Sequence, residues 1–145
     1  MSVELPFAPV DTVIRRNAGQ LRVSAEAAEE LARQIQARGA ELAEEAARRA
    51  TEDGRKTLMA EDFDAPAVDK DRLELPIAPI DRIARLEIDD RYRVSMNARI
   101  ALAGTLESYA DTVATAAATL ARHADRRTVK ADDITAYYEL EPYFE

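Results

Sequence analysis

Residues 4–11 of this 145-residue chain read ELPFAPVD, and residues 74–81 read ELPIAPID. The recurrence continues along the chain, because RVS at 22–24 returns at 93–95 and RKTLMAEDF at 55–63 is matched by RRTVKADDI at 126–134. The offset between matched positions is 70 before residue 22 and 71 from there onward, so one residue has been inserted in a loop. The chain is therefore two copies of one unit of roughly 65–70 residues, and this repeat sets the architecture.

The composition favours packed helices. Hydrophobic residues make up 47% of the chain and are mostly Ala, Trp is absent, and there are only four Gly and six Pro. A unit of about 70 residues buries little core alone, so we expect the two copies to share one. The absence of Cys rules out a disulfide framework and a thiolate metal site.

The charge balance is strongly acidic. The net charge is −8, each half carries 14 acidic and 10 basic residues, and 17 of the 20 basic residues are Arg. This composition is typical of proteins from a salt-loaded cytoplasm, although an acidic protein from a dilute cytoplasm shares the acidity. The N-terminus shows no basic region followed by an apolar run, and the Ala-rich run at 114–121 is too short to span a bilayer. We expect a soluble, cytoplasmic protein without a membrane partner.

Each copy reads as a short, a long and a short helix. The prolines at 9 and 79 predict short helices over 10–16 and 80–86. Serines at 24 and 95 are suitable N-caps for the long helices, the first of which should span 25–51. One apolar stripe runs along each long helix, through Leu31, Ile35 and Leu42 in the first copy and Leu102, Leu106 and Val113 in the second. A helix of about 27 residues is ~40 Å long, so its stripe stays exposed unless the other copy covers it.

The third helices should begin at Ala60 and Ala131. Pro66 falls inside the first of these and should break or restart it. We therefore predict a first unit over residues 1–66, a linker over 67–73 and a second unit over 74–145.

The repeated motifs resemble those of archaeal histones. Both copies open on Leu-Pro-x-Ala-Pro and carry an Arg-x-Thr-x-x-x-x-Asp spacing, at 55–62 and at 126–133. The tandem arrangement is similar to the fused histone doublets of haloarchaea. The resemblance implies an all-α fold of two tandem histone folds, whose long helices cross in an intramolecular handshake. It also implies that Arg55 pairs with Asp62, and Arg126 with Asp133, bracing the loop; the alternative is that these pairs only stabilise a turn.

The resemblance also implies double-stranded DNA as the partner. Arg22 and Arg93 would enter the minor groove, which attracts guanidinium groups without base-specific contacts. In a handshake Arg22 would lie near Arg127 and Thr128, and Arg93 near Lys56 and Thr57. The threonines would hold the arginines in position, and Lys56, Arg127 and Lys130 would contact phosphates. Further phosphate contacts are expected from arginines on the first helices and at the start of the second long helix, namely Arg15, Arg16, Arg82, Arg85 and Arg99. The alternative is that these arginines only form a solvated face. Met59 replaces Lys130, Thr12 replaces Arg82 and Ala28 replaces Arg99 in the first copy, so the second copy is expected to bind better.

Contact between protein molecules is a second expectation from the resemblance. In this family Leu, His and the loop Asp near the end of the long helix meet across a two-fold axis, and Leu120, His123 and Asp133 match them. The first copy has Arg49, Glu52 and Asp62 at these positions. Across a two-fold axis Glu52 and Asp62 of one molecule would face the same two acids of another molecule and repel them. We therefore expect self-association through the second-copy ends.

An enzyme is the least supported class. One His, no Cys, no Gly-rich phosphate loop and no His/carboxylate metal spacing leave no catalytic constellation, metal site or cofactor site, and no small-molecule substrate is expected. The principal alternative to DNA binding is a histone-fold protein whose partner is another protein. Whether a DNA-binding role would be packaging or regulation stays open, as do sequence preference, wrapped length and oligomeric state.

Overall fold

The computed structural model describes residues 2–66 and 68–144. Each copy begins with a short helix, α1 (Phe7–Ala18) and α3 (Ile77–Ala84). Both helices start three residues before the predicted position, which puts the prolines at 9 and 79 in the third helical position. Proline is compatible with that position because the first-turn N–H groups have no intrahelical partner.

Two 28-residue helices form the centre of the molecule, α2 (Ala25–Glu52) and α4 (Met96–His123). Each begins at the predicted serine, whose hydroxyl accepts a hydrogen bond from the amide of the third helical residue at 3.1 Å. The predicted stripes face inward: Leu31, Ile35, Leu102 and Leu106 are fully buried. They lie in a single hydrophobic core to which both copies contribute, as the unit size predicts.

The third elements differ between the copies. The second copy has a helix, α5 (Ala131–Leu140), which packs against α2 of the first copy. The first copy has only a 3-10 turn (Ala60–Phe63), which begins at the predicted residue and ends before Pro66, where a break was expected. The third element of this copy is therefore a single turn and not an α-helix. The turn ends at Asp64, which adopts a left-handed conformation (φ 48°), since Ala65 precedes proline and is restricted from helical backbone.

The linker is partly helical. Lys70–Arg72 form a 3-10 turn, and Val68 packs against α4 at Gly104, where an added Cβ would lie 2.8 Å from a Val68 methyl. The segment after it is fixed by a buried carboxylate: Glu107 accepts hydrogen bonds from the amides of Glu74 and Leu75. At the matching position of the first copy, Gln36 accepts from the amide of Glu4 at 2.7 Å.

Two pairs of short parallel strands join the copies. Strand β1 (Arg22–Val23) pairs with β4 (Thr128–Val129), and β2 (Thr57–Leu58) pairs with β3 (Arg93–Val94). Each pair therefore takes one loop from each copy, which is the handshake arrangement that the resemblance predicts. The molecule has two ends, each built from both copies.

Candidate nucleic-acid interface

The strand pairing brings the predicted loop residues together at two separate ends. At the Arg22 end (loops 19–24 and 124–130), Arg22 is the register partner of Thr128, and its amide donates to the Arg127 carbonyl at 2.8 Å. At the Arg93 end (loops 53–59 and 85–95), Arg93 is the register partner of Thr57, and its amide donates to the Lys56 carbonyl at 2.9 Å. These backbone hydrogen bonds hold each arginine beside a threonine and a second cation.

The Arg22 end contains a basic cleft. Arg22, Arg122 and Arg127 line a space of about 550 Å³ together with Gln20 and Leu21. Within the described ranges, the guanidinium groups of Arg22 and Arg127 form no ion pair. Such a cleft suits an anionic ligand.

Arg122 was missed by the sequence reasoning. It lies in the last turn of α4, where a basic residue is ordinarily explained by the negative end of the helix dipole. In the structure its Nη2 donates to the Ala18 carbonyl at the end of α1, 3.1 Å away. Position 122 reaches this cleft only through the packing of the first copy's α1 and loop against α4, for which the sequence has no local signal.

The Arg93 end is less basic than its counterpart. Thr51 occupies the position that matches Arg122, and its hydroxyl is hydrogen-bonded to that of Tyr92. Arg91 is ion-paired with Asp89 at 3.4 Å. Four exposed acids lie in these loops, whereas Asp125 alone lies in the loops of the Arg22 end. The four are Asp53, Glu87, Asp89 and Asp90. The sequence-based prediction compared the two copies as DNA-binding halves. In the structure each end combines one loop from each copy, so the relevant comparison is between the two ends.

Both loops are braced by an arginine and a buried aspartate. Arg55 donates to both carboxylate oxygens of Asp62, at 2.8 and 2.9 Å, and to the Thr57 carbonyl at 2.9 Å. The Met59 amide donates to the same carboxylate at 2.7 Å. The hydrogen bonds from Arg55, together with that from the Met59 amide, hold the pKa of Asp62 below its ordinary value despite its burial.

The second loop repeats this arrangement. Arg126 donates to both oxygens of Asp133 and to the Thr128 carbonyl, and the Lys130 amide donates to Asp133 at 2.8 Å. Burial alone would raise the pKa of Asp133, but the hydrogen bonds from Arg126 and the Lys130 amide outweigh it, and the pKa lies below its ordinary value. The two braces fix the threonine carbonyls that border β2 and β4.

The other predicted arginines are paired with acids of this chain. Arg15 contacts Asp11 at 2.6 Å, Arg82 contacts Glu4 at 3.0 Å, and the Nε of Arg99 lies 3.1 Å from Asp81. Arg85 also pairs with Asp81. Arg16 pairs with Glu107 and Asp111 of the second copy. Arg85 lies in the loops of the Arg93 end, where it also donates to the Tyr92 carbonyl at 3.3 Å. The other four flank the loops and do not join the clusters, so the structure does not bring the whole predicted set together.

The residues predicted for contact between molecules lie near the end of α4. His123 is exposed, Leu120 is partly buried, and Asp133 is buried in its brace with Arg126. On the first copy, Arg49 donates to the Asp62 carbonyl at 2.6 Å, and Glu52 is exposed. In the ranges described, no cluster of three or more His, Cys, Asp or Glu side chains is placed to hold a metal ion. No helix in those ranges is long and apolar enough to cross a membrane.

Comparison with known proteins supports this architecture. The family described as "Histone-like transcription factor (CBF/NF-Y) and archaeal histone" matches residues 3–65 and again 73–136. One of the subunits of the archaeal histone HAN1 from Thermococcus zilligii is 54% identical over 61 residues, which is 42% of this chain and 88% of that protein.

Solved structures share the fold over nearly the whole chain. The histone from Methanopyrus kandleri superposes with a TM-score of 0.69 at 24% identity and covers 90% of both chains. A protein from Thermus thermophilus superposes with a TM-score of 0.73 at 14% identity, covering 98% of this chain and 99% of its own. The chain thus contains two histone folds joined in one polypeptide.

Proposed function

Because this chain belongs to the family of histone-like transcription factors (CBF/NF-Y) and archaeal histones, we propose that it binds double-stranded DNA with little sequence specificity. In this proposal Arg22 and Arg93 enter the minor groove, and Lys56 and Arg127 contact phosphates on either side. The protein acts without catalysis and without a cofactor, on the chromosome, in packaging or in regulation of transcription. The fused doublet of haloarchaeal type is part of the same proposal.

The observation that carries the proposal is the pairing of loops from different copies. Each pair holds an exposed arginine opposite a threonine by backbone hydrogen bonds of 2.8–3.1 Å. A rigid loop matters because an arginine whose backbone is already positioned loses less conformational freedom on entering a groove. The narrow minor groove concentrates negative potential and accepts arginine without reading base identity.

The net charge of −8 must be reconciled with a polyanionic partner. At ~1 M salt the Debye length is ~3 Å, so acids elsewhere on the surface hardly act on the DNA. Guanidinium groups in direct contact with the DNA still attract its phosphates at this salt concentration. We propose that the protein works in concentrated salt, where counterion release contributes less and affinity is modest.

The helix arginines support the loops in this proposal. The side chains of Arg15 and Arg82 are more than half exposed despite their ion pairs. Exposed ion pairs contribute only about 0–1 kcal/mol to stability, so an arriving phosphate can replace the carboxylate partner at little cost. Lys130 adds a cation at the Arg22 end, and Arg99 lies at the start of α4.

The test is fluorescence anisotropy of a labelled duplex of ~30–60 bp, titrated with protein from low salt to ~2–3 M KCl. Circular dichroism under the same conditions reports whether the helices persist. Arg22→Ala/Arg93→Ala should lose most of the binding. Arg33→Ala/Arg38→Ala, which removes the same charge from the middle of α2, is the matched control and should retain it. Equal affinity of the two double variants would contradict the groove assignment.

A second candidate function is a histone-fold module whose partner is another protein. The specific observation in its favour is the acidity of the Arg93 end, where Asp89 neutralises Arg91 and further acids lie close by. Folded protein that binds no duplex at any salt concentration would favour this candidate. Self-association through Leu120, His123 and Asp133 is compatible with either function.

A further inference from the structure

The two ends of the molecule differ at the positions that complete the loop clusters. We infer that Arg122 is a DNA-contacting residue, and that with Arg22 and Arg127 it forms a three-guanidinium phosphate site which makes the Arg22 end the principal anchor. This inference rests on the proposed function and specifies which end of the protein carries the affinity.

The first support is the geometry of the cleft. Three arginines line one space of about 550 Å³, and among the described residues their guanidinium groups have a single hydrogen-bond partner, the Ala18 carbonyl on Arg122. Like charges enclosed in one cleft repel each other, and a bound anion removes that repulsion. Arginine presents several N–H donors in a planar fork, which matches the oxygens of a phosphate group.

The second support is that Arg122 is held in place. Its Nη2 donates to the last carbonyl of α1 at 3.1 Å, and lies 3.3 Å from the position that a Cβ on Gly19 would take. Gly19 has a positive φ of 61°, which ends α1 and lets the loop pass close to the guanidinium. The remaining donors of Arg122 need no reorganisation to accept a ligand.

The third support is the comparison with the Arg93 end, which lacks this site. Thr51 replaces Arg122 there, and Met59 replaces Lys130. The hydroxyl of Thr51 is hydrogen-bonded to that of Tyr92, and Glu52 and Asp53 follow directly in the chain. At the Arg93 end Arg91 is paired with Asp89 and Arg85 with Asp81, so a phosphate there meets fewer unpaired cations and more carboxylates. DNA therefore engages the two ends with unequal strength.

The ligand chemistry is a phosphate group, which a DNA strand or free inorganic phosphate can supply. We commit to the DNA backbone because the cleft is lined by Arg22 itself, the residue proposed for the minor groove. Phosphates flank the minor groove on both sides, so a side chain next to the inserted arginine reaches one of them.

The experiment compares Arg122→Ala with Arg91→Ala, which removes an equal charge from the Arg93 end. Anisotropy of a labelled duplex at several KCl concentrations gives the affinity and its salt dependence. Arg122→Ala should weaken binding on the order of tenfold and reduce the slope of log K against log salt by about one, as expected for one lost phosphate contact. Arg91→Ala should change the affinity by less than Arg122→Ala does, because four exposed acids lie in the same loops as Arg91.

Two additions keep the result decisive. Arg122→Gln retains a donor for the Ala18 carbonyl without the charge, so a loss of binding in this variant with unchanged circular dichroism cannot be a folding defect. Inorganic phosphate, exchanged for chloride at constant ionic strength, should weaken binding of the duplex to wild type but not to Arg122→Gln, because both ligands need the same guanidinium groups. Saturable, Arg122-dependent phosphate binding that leaves the affinity for the duplex unchanged would assign the cleft to the free anion and overturn the inference. Wild-type binding with equal affinity of the Arg122 and Arg91 variants also overturns it, whereas absence of wild-type binding refutes the proposed function and this inference together.

Discussion

The guanidinium of Arg16 in the first copy donates to the carboxylate of Glu107 in the second, with 3.0 Å between Nη2 and Oε2. Glu107 is only 7% exposed and uses its other oxygen to hold the backbone after the linker. The matching residues of the pseudo-symmetric site are Leu86 and Gln36, which are uncharged. A partly buried carboxylate thus meets a cation at the first site, whereas both matching residues at the second site are neutral.

This asymmetry predicts a compensating pair of substitutions. Arg16→Leu leaves a buried carboxylate without its cation, and Glu107→Gln can place an amide donor opposite the guanidinium. Each single change should lower the free energy of unfolding by about 1–2 kcal/mol. The effect is no larger because the Arg16 side chain is 38% exposed and solvent screens its charge. The double variant reproduces the neutral pair and should recover at least ~0.5 kcal/mol of the summed loss. Urea unfolding of the four proteins measures this coupling, and additive losses would refute it.

Replacing a glycine of a long helix by alanine should affect stability differently at Gly39 and at Gly104. A Cβ on Gly39 would lie 2.7 Å from a methyl of Ile83 and 3.0 Å from one of Leu106, both fully buried. Alanine favours a helix over glycine by up to ~1 kcal/mol, but overpacking a core costs about 1–3 kcal/mol. Gly39→Ala should therefore destabilise the protein by about 1 kcal/mol.

Gly104→Ala is the matched control. The added Cβ would meet Val68 at 2.8 Å, but Val68 belongs to the linker and is 38% exposed, so it can move. We expect thermal unfolding of this variant within a few degrees of wild type, or above it. If Gly39→Ala proves as stable as Gly104→Ala, the helices are not in close contact at residue 39.

The loop braces predict a pH dependence of stability. The folded protein holds the pKa of Asp62 and of Asp133 below the ordinary value of about 4. The unfolded chain therefore takes up these protons first as the pH falls, so the contribution is complete above about pH 5 and is lost as the pH drops through the folded pKa values.

Asp133→Asn tests this dependence. It should lower the unfolding temperature at pH 7 by several degrees, since a buried carboxylate with charged and backbone donors is lost. The difference from wild type should narrow towards pH 3, where the wild-type carboxylate itself is protonated in the unfolded chain. Differential scanning calorimetry across this range provides the measurement, and a difference that is constant with pH would mean that the charge of Asp133 contributes nothing.

The proposed contact between molecules predicts a change in association. His123→Glu gives the second copy the residue that Glu52 provides in the first, and should weaken the dimer of chains by at least about tenfold through carboxylate repulsion. Glu52→His, the reverse change, should leave that dimer intact and promote larger assemblies. Sedimentation velocity on both variants tests this; unchanged association of His123→Glu would exclude the second-copy end as the contact surface.

The elements with strong local signals were predictable from the sequence. The long helices follow from continuous apolar stripes and from serine caps at residues 24 and 95, and the structure begins both helices there. The helix starts near Pro9 and Pro79 were displaced by three residues, because proline is compatible with several positions of a first turn. The all-α fold follows from these local features and the repeat.

What the sequence did not reveal depends on contacts between distant residues. The roles of Arg16 and Arg122 arise from packing between copies, and no short motif marks either of them. The resemblance implied two loop clusters, around Arg22 and around Arg93, but the difference between a basic and a mixed-charge end became visible only in the structure.

The parallel pairing of strands also constrains the order of events during synthesis. Strand β1 pairs with β4, so the Arg22 end is not assembled until residues 128–129 have been synthesised. Until then the apolar stripe of α2 lacks its cover, and a nascent chain with exposed apolar surface is prone to aggregate. A chain truncated in the second copy before β4 would have neither a complete core nor the basic cleft. The cleft proposed to bind DNA is therefore complete only after both copies have been synthesised.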